Sequence, residues 1–169
     1  MELNFIPLTE AHLPFTEAWF DDAETRLYLG GRGWVRRAIE LSRTAAGEEF
    51  RGRQILSRHV WVVFKQQTPV ALIDVEPYDD DTAGFAFVVA PELRRGGIGT
   101  QLLLALDALP ELRDVRCFIG GVEPQNLASR RCLEKAGFQI ADTPDDEEML
   151  HCKRWRTSPT VPLSEKRSP

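Results

Sequence analysis

Residues 87–104 read FVVAPELRRGGIGTQLLL, and this stretch decides the fold. The run Phe85–Ala90 is almost wholly apolar, which predicts a strand buried on both faces. Three glycines follow at positions 96, 97 and 99, and an apolar helical pattern begins directly after them over Gln101–Leu109. Such a strand, glycine loop and helix bring free backbone N–H groups and the positive end of a helix dipole together, and this arrangement suits a pyrophosphate.

The residues around the glycines add positive charge to the loop but differ from two common phosphate-binding motifs. Arg94 and Arg95 place two positive charges beside the glycines. The loop lacks the Lys-Ser/Thr pair of an ATP-binding P-loop, because Gly99 is followed by Thr100 and Gln101. It also departs from the GxGxxG fingerprint of dinucleotide-binding folds. On this stretch alone, an anion site and a plain turn between strand and helix both stay open.

The segments on either side predict a mixed α/β sheet. Strands are expected over Leu3–Leu8, His59–Lys65, Val70–Glu76, Phe85–Ala90, Val115–Ile119, Phe138–Ala141 and Met149–Trp155. Helices are expected after Thr9 and over Asp21–Leu29, Trp34–Thr44, Gln101–Leu109 and Asn126–Ala136, with a polar connection over Gly47–Arg58. We predict one domain over residues 1–155, with about six to seven strands, about four flanking helices and a parallel pair of strands around the glycine loop.

Composition excludes several classes of protein. The chain has 169 residues, 43% of them hydrophobic and 28% charged, which is typical of a globular domain. Its net charge of −5 argues against a nucleic-acid binder with a broad basic face. Three widely spaced cysteines favour a reducing compartment over a disulfide framework. No signal peptide and no membrane span are expected, so we predict a cytoplasmic protein whose residues 156–169, rich in Pro and Ser, form a flexible tail.

A second motif lies thirty residues beyond the loop, at 122–138, and reads VEPQNLASRRCLEKAGF. Together the two motifs resemble those of the GNAT superfamily, the acetyl-CoA-dependent N-acetyltransferases. The signature R/Q-x-x-G-x-G/A is matched by Arg94, Gly97 and Gly99, and a downstream helix with N-x-x-A/S and a final E-K-x-G-F is matched by Asn126, Ser129, Glu134, Lys135, Gly137 and Phe138. The resemblance covers about residues 61–138 and is closest to the branch that acetylates ribosomal-protein N-termini.

The resemblance implies a set of contacts with acetyl-CoA as co-substrate, without a metal. The pantetheine arm would meet backbone groups of Phe87, Val88 and Val89. The pyrophosphate would meet the N–H groups of Arg94, Arg95, Gly96, Gly97, Ile98, Gly99 and Thr100. Asn126 would bind the pantetheine or the adjoining backbone, and Lys135 would reach toward the nucleotide.

The acid that protonates the departing thiolate differs from the common family pattern. Many members carry a tyrosine seven residues after the asparagine, and this position is Leu133 here. In the branch with serine three residues after the asparagine, that serine is the candidate acid, which selects Ser129. Packing of a small residue against the cofactor or a helix is the alternative role.

The proton acceptor for the amine has three candidates. Asp74 and Glu76 are two residues apart on a predicted strand and therefore share one face. We choose Glu76, because it ends its strand where a cleft could open, and we keep Glu123 as a second choice. For all of them the alternative is a solvated surface acid. The acidic turn Asp79–Asp81 and the loop 145–148 could attract a cationic amine or could be solvated turns.

We therefore expect an enzyme that moves an acetyl group from acetyl-CoA to a primary amine by direct attack in a ternary complex. The acceptor is a small amine or a protein N-terminus, and the protein is a monomer or a homodimer without nucleic-acid or membrane partners. Two alternatives are a non-catalytic acyl-CoA-binding module of the same fold and an unrelated nucleotide-binding α/β domain.

Overall fold

The structure, a computed structural model, describes residues 2–157. Its strands are β1 (Leu3–Pro7), β2 (Glu49–Phe50), β3 (Arg53–Gln54), β4 (His59–Lys65), β5 (Thr68–Pro77), β6 (Thr82–Val89), β7 (Cys117–Val122), β8 (Gln139–Ile140) and β9 (Leu150–Trp155). Its α-helices are α1 (Leu13–Thr16), α2 (Ala23–Leu29), α3 (Gly33–Thr44), α4 (Ile98–Ala105) and α5 (Leu127–Lys135). Residues 158–169, most of the predicted tail, lie outside the described residues.

Seven strands form one sheet in the order β1-β4-β5-β6-β7-β9-β8, and β2 and β3 form a separate small hairpin. All neighbours in the large sheet are antiparallel except β6 and β7, which are parallel as the strand–loop–helix–strand order predicts. The predicted mixed sheet is thus confirmed. The hairpin β2–β3 lies inside the stretch expected to be an irregular connection, because two-residue strands carry no periodic pattern.

A hydrophobic core lies on each face of the sheet. Alternation along the strands sends Ile73 and Phe118 toward α4 and α5, and Val62 and Leu72 toward α1–α3. Within residues 2–157, no helix combines the length and the apolar character that crossing a membrane requires.

Two expectations about the central strand and helix need correction. Strand β6 is not buried on both faces, since Ala83 and Val88 are its buried residues and the others are half-buried. Its apolar composition reflects a strand that borders an open gap in the sheet. Helix α4 begins at Ile98 rather than Gln101, because Ile98 is already buried beneath the first turn.

Candidate active site

The parallel strands β6 and β7 separate soon after they meet. They pair over Thr82–Gly84 and Cys117–Ile119, and beyond Gly84 strand β6 pairs with β5 while β7 pairs with β9. Among residues 2–157, the β7-facing edge of Phe85–Val89 therefore has no partner strand. Unpaired backbone groups on such an edge can bind an extended ligand that carries amides.

The glycine loop lies where β6 ends. A 3-10 turn over Pro91–Leu93 leads into it, and Arg95 and Gly97 have positive φ angles of 66° and 79°. Gly97 caps α4, whose first N–H groups have no partner within the helix. A Cβ atom built on Gly97 would meet nothing within 4 Å, so the surface of the loop is open at this point.

The side chain of Arg94 is held by helix α2. Its Nη1 atom donates to Asp22 Oδ2 at 2.8 Å and to Glu24 Oε2 at 3.2 Å, and its Nη2 atom donates to the hydroxyl of Thr25. Asp22 also caps α2 through the Thr25 N–H, and these bonds lower the pKa of Asp22. The Arg94 charge is thus compensated by carboxylates, whereas Arg95 is exposed. The predicted side-chain charge at the loop is therefore carried by Arg95.

Gly99 has a packing role that its place in the motif did not reveal. A Cβ atom here would lie 2.7 Å from Cys132 Sγ and 3.4 Å from a ring carbon of Phe87. Thr100, beside it, donates a hydrogen bond to Cys132 Sγ at 3.7 Å. The glycine therefore lets α4 approach both α5 and β6.

Helix α5 begins at the far side of the gap. Asn126 is its N-cap, and its Oδ1 atom accepts the backbone N–H of Ser129 at 3.2 Å. Ser129 is half-buried in the first turn, and Lys135 is exposed in the last turn. Leu133 is 2% exposed and belongs to the core, so the position where many family members have tyrosine contributes packing.

A cleft of about 1090 Å³ opens where β6 and β7 part. Its walls come from the hairpin β2–β3, strands β5, β6, β7 and β9, and the loop before β9. It is lined by six carboxylate side chains and by four lysine or arginine side chains. The acidic residues are Glu48, Glu49, Asp74, Glu76, Asp145 and Glu147, and the basic ones are Arg51, Arg53, Arg58 and Lys153.

Two carboxylates in this cleft share one guanidinium. Arg58 donates from Nε and Nη2 to Asp74, at 3.0 Å and 2.6 Å, and from Nη1 to Glu76 Oε2 at 3.0 Å. The hydroxyl of Tyr78 donates to Glu76 Oε1 at 2.9 Å. Burial raises the pKa of Asp74 against the opposing effect of Arg58, and burial with the nearby Glu76 carboxylate raises the pKa of Tyr78. The formal charges of Arg58, Asp74 and Glu76 sum to −1.

Sequence reasoning placed Asp74 and Glu76 on one face but missed Arg58 and Tyr78. The polar stretch that contains Arg58 gave no sign of its partners. Tyr78 lies two residues after Glu76, and this spacing on an extended segment was the available signal. The other candidate base, Glu123, precedes α5 and is not part of the cleft lining.

The side chains of the acidic turn Asp79–Asp81 do not line the cleft, and two of them accept hydrogen bonds from backbone N–H groups. Asp79 Oδ1 accepts the Gln54 N–H at 3.1 Å, and Asp80 pairs with Arg53 at 2.7 Å and caps Thr82. The expectation that these aspartates attract the substrate is therefore not supported by their position. In the second acidic loop, Asp145 and Glu147 do reach the cleft, and Glu147 pairs with Arg51 of the hairpin at 2.5 Å.

The model of the "Acetyltransferase (GNAT) family" matches residues 34–138. The chain belongs to this family. Among curated relatives, a Bacillus subtilis (strain 168) protein named "Uncharacterized N-acetyltransferase YfmK" is 26% identical over 147 residues, which cover 86% of this chain and 90% of the relative.

Solved structures share the GNAT fold. An aminoglycoside acetyltransferase AAC(6')-Ib in complex with coenzyme A has a TM-score of 0.72 and 20% identity, covering 92% of this chain and 95% of that one. The ribosomal L7/L12 alpha-N-protein acetyltransferase RimL, with coenzyme A, has a TM-score of 0.71 and 16% identity, covering 90% and 93%. A spermidine N-acetyltransferase SpeG chimera from Vibrio cholerae and hSSAT has a TM-score of 0.70 and 16% identity, covering 92% and 96%.

Membership of the GNAT family confirms three predictions made from the two motifs: the fold, the class of enzyme and acetyl-CoA as the acyl donor of that class. The open surface at Gly97 and the unpaired edge of β6 fit such a donor. In the described part of the chain, no cluster of three or more His, Cys, Asp or Glu residues could hold a metal ion.

Proposed function

We propose that the protein transfers the acetyl group of acetyl-CoA to a cationic primary amine bound in the acidic cleft. One observation carries this proposal: the gap between β6 and β7 has the glycine loop at one end and opens, at Gly84 and Ile119, into the cleft that contains Glu76. A donor along the β6 edge and an amine in the cleft would therefore meet where the two strands part.

The donor site consists mainly of backbone groups. The edge at Phe87, Val88 and Val89 binds the pantetheine amides, and the loop Arg94–Thr100 binds the pyrophosphate through its N–H groups. The amide nitrogen of Asn126 is available to the pantetheine, because the cap uses only its oxygen. Exposed Lys135 and Arg95 supply positive charge at the phosphate end.

The reaction is one displacement at the carbonyl carbon. Bound acetyl-CoA supplies a thioester, whose C–S bond breaks as the amine nitrogen forms its bond to carbon. The bound ammonium group first loses one proton to water, which frees the lone pair that attacks. Glu76 takes the second proton as the nitrogen–carbon bond forms and later releases it to solvent, and Ser129 gives a proton to the thiolate sulfur and recovers one from water. Each of Glu76's oxygens already accepts one hydrogen bond, which fixes the carboxylate while leaving it a free lone pair.

The charges of the cleft favour a cationic acceptor. The formal charges of Arg58, Asp74 and Glu76 sum to −1, and the six carboxylates of the whole lining outnumber its four Lys and Arg side chains by two, so the cleft attracts an ammonium group. RimL, by its name, acetylates a protein N-terminus, whereas the AAC(6')-Ib structures hold aminoglycosides. For this chain we propose a small amine as the acceptor. We further propose that the enzyme is a cytoplasmic monomer or homodimer and that its domain spans residues 1–155.

Release of the CoA thiol from acetyl-CoA, measured over a panel of amines, tests this function. We expect turnover with basic small molecules and weak turnover with acidic ones. For the basic amines, kcat/KM should fall as the salt concentration rises to physiological ionic strength, where the Debye length is about 8 Å. Glu76→Gln should lower kcat by roughly 100-fold, and the exposed carboxylate variant Asp114→Asn should not.

Two results would contradict the proposal. Tight acetyl-CoA binding without thiol release for any amine or N-terminal peptide would favour the non-catalytic acyl-CoA-binding module. Full activity of Glu76→Gln would remove this residue from the reaction while leaving the transferase itself in place.

A further inference from the structure

Tyr78 lies between the candidate base and the hairpin β2–β3. It is 5% exposed, and its hydroxyl donates to Glu76 Oε1 at 2.9 Å. Its ring stacks against Phe50 with centroids 6.3 Å apart and an interplanar angle of 17°, and the Arg53 guanidinium lies 5.9 Å from the ring centroid. The ring is therefore fixed independently of the hydroxyl.

Gly84 makes room for this hydroxyl. It stands opposite Glu76 in the β5–β6 register and forms, with Ile119, the last pair before β6 and β7 separate. A Cβ atom on Gly84 would lie 2.7 Å from the Tyr78 hydroxyl oxygen but 3.5 Å from the nearest ring carbons. An alanine methyl group at position 84 would therefore displace the hydroxyl oxygen while making only ordinary contact with the ring.

The two oxygens of Glu76 are held by different partners. Arg58 fixes Oε2 from the Asp74 side, and Tyr78 fixes Oε1 from the side where the strands part. Removing one of these bonds frees the carboxylate to rotate away from the amine, and loss of near-attack geometry lowers the rate of a bound complex.

We infer that Tyr78 is a positioning residue for Glu76 and that Gly84 is required because it leaves space for the Tyr78 hydroxyl. This inference rests on the proposed function, in which Glu76 accepts the proton of the amine. Tyr78 itself does not exchange a proton in the reaction, and it acts by holding one oxygen of the carboxylate in place.

Tyr78→Phe provides the first test, because it keeps the ring contacts with Phe50 and Arg53 and removes the hydroxyl. We expect kcat to fall by roughly 10-fold, with the thermal midpoint and the KM for acetyl-CoA nearly unchanged. In the Glu76→Gln background the same change should lower kcat no further, because a positioning residue acts only through its partner. A second large decrease in that background would overturn the inference.

Gly84→Ala provides the second test. Alone it should lower kcat at least as much as Tyr78→Phe does, since it displaces the hydroxyl by steric contact. Combined with Tyr78→Phe it should cause no additional loss, because the phenylalanine ring leaves space for the methyl group. The control is Gly31→Ala, where an added Cβ would meet nothing within 4 Å.

The outcomes separate this inference from the function on which it rests. Loss of activity in Glu76→Gln with wild-type kcat in Tyr78→Phe would overturn the role of Tyr78 and leave the base in place. Full activity of Glu76→Gln would instead overturn the base. Additive losses for Gly84→Ala and Tyr78→Phe would show that the glycine serves another purpose.

Discussion

Ser129 shows how a single position can combine a backbone and a side-chain role. Its N–H group is taken up by the Asn126 cap, and its side chain is half-buried at the start of α5. Leu133 has a hydrocarbon side chain without an acidic proton and is packed into the core, so the position where the resemblance implies a tyrosine acid supplies none in this chain. The hydroxyl of Ser129 is therefore the acid that we propose on this helix.

Ser129→Ala should lower kcat by roughly 10- to 1,000-fold while the affinity for acetyl-CoA stays nearly the same, because only proton transfer to the thiolate is lost. Steady-state kinetics and calorimetric titration of acetyl-CoA measure the two quantities. Ser42→Ala, on α3, is the matched control. An unchanged kcat would assign Ser129 a packing role.

Gly99→Ala should destabilise the fold by about 1 to 3 kcal/mol, because the new methyl group would overlap Cys132 Sγ. Chemical unfolding measures this free energy. Adding Cys132→Ala should recover part of the loss, since it removes the sulfur atom that the methyl group meets. Equal losses with and without the sulfur would place the conflict at Phe87 instead.

At the scale of elements, α2 and the glycine loop are joined by one ion-pair cluster. Asp22 caps α2 and accepts from Arg94, so the helix end and the loop share one carboxylate. The pair is partly buried, with side-chain exposures of 25% for Arg94 and 30% for Asp22. This contact orients the loop from a helix that lies far away in the sequence.

Asp22→Asn should lower stability at pH 7 by about 1 kcal/mol, because asparagine keeps the cap but loses the charge. The pKa of Asp22 is lowered in the fold from its ordinary value of 3.8. Its contribution is therefore fully present above that value and is lost as the pH falls through the lowered pKa. The difference in unfolding free energy between the wild type and Asp22→Asn should therefore shrink as the pH is lowered from 7 to 3. A constant difference would exclude an ionic contribution.

At the scale of the whole molecule, donor binding should couple to folding. Acetyl-CoA that binds only the native state adds about 2.7 kcal/mol at a hundredfold excess over Kd. For a domain of this size the thermal midpoint should rise by roughly 5 to 11 °C. Gly97→Val should abolish this shift, because its side chain would occupy the open surface of the loop.

Gly47→Val is the control for backbone strain in this experiment. Gly47 also has a positive φ angle, 90°, and an added Cβ there would also meet nothing within 4 Å, but it lies before the hairpin β2–β3. Both variants should lose stability without ligand, and only Gly97→Val should lose the response to acetyl-CoA. Indifference of the wild-type midpoint to millimolar acetyl-CoA would contradict the donor assignment.

The elements were predictable because their signals are local. Hydrophobic periodicity located α3 and β4 to within one residue, and the glycine cap at Gly137 located the end of α5. The hairpin β2–β3 was missed, since its strands have only two residues each and are held by contacts with Tyr78 and Asp79, which lie far along the chain. The exposure of β6 was also misjudged, because apolar composition does not distinguish a core strand from one that borders a gap.

The sequence by itself determined the strand–loop–helix unit, the second motif and hence the family, because these depend on residue types at fixed short spacings. Tertiary structure alone decided which charges are free and which are paired. Arg94 pairs with Asp22, 72 residues away in the sequence, and Arg51 pairs with Glu147, 96 residues away. Arg58 reaches Asp74 because the pairing of β4 with β5 places the adjacent residues His59 and Val75 opposite each other. The strength of such pairs depends on distance and burial in space, and neither can be read from spacing along the chain.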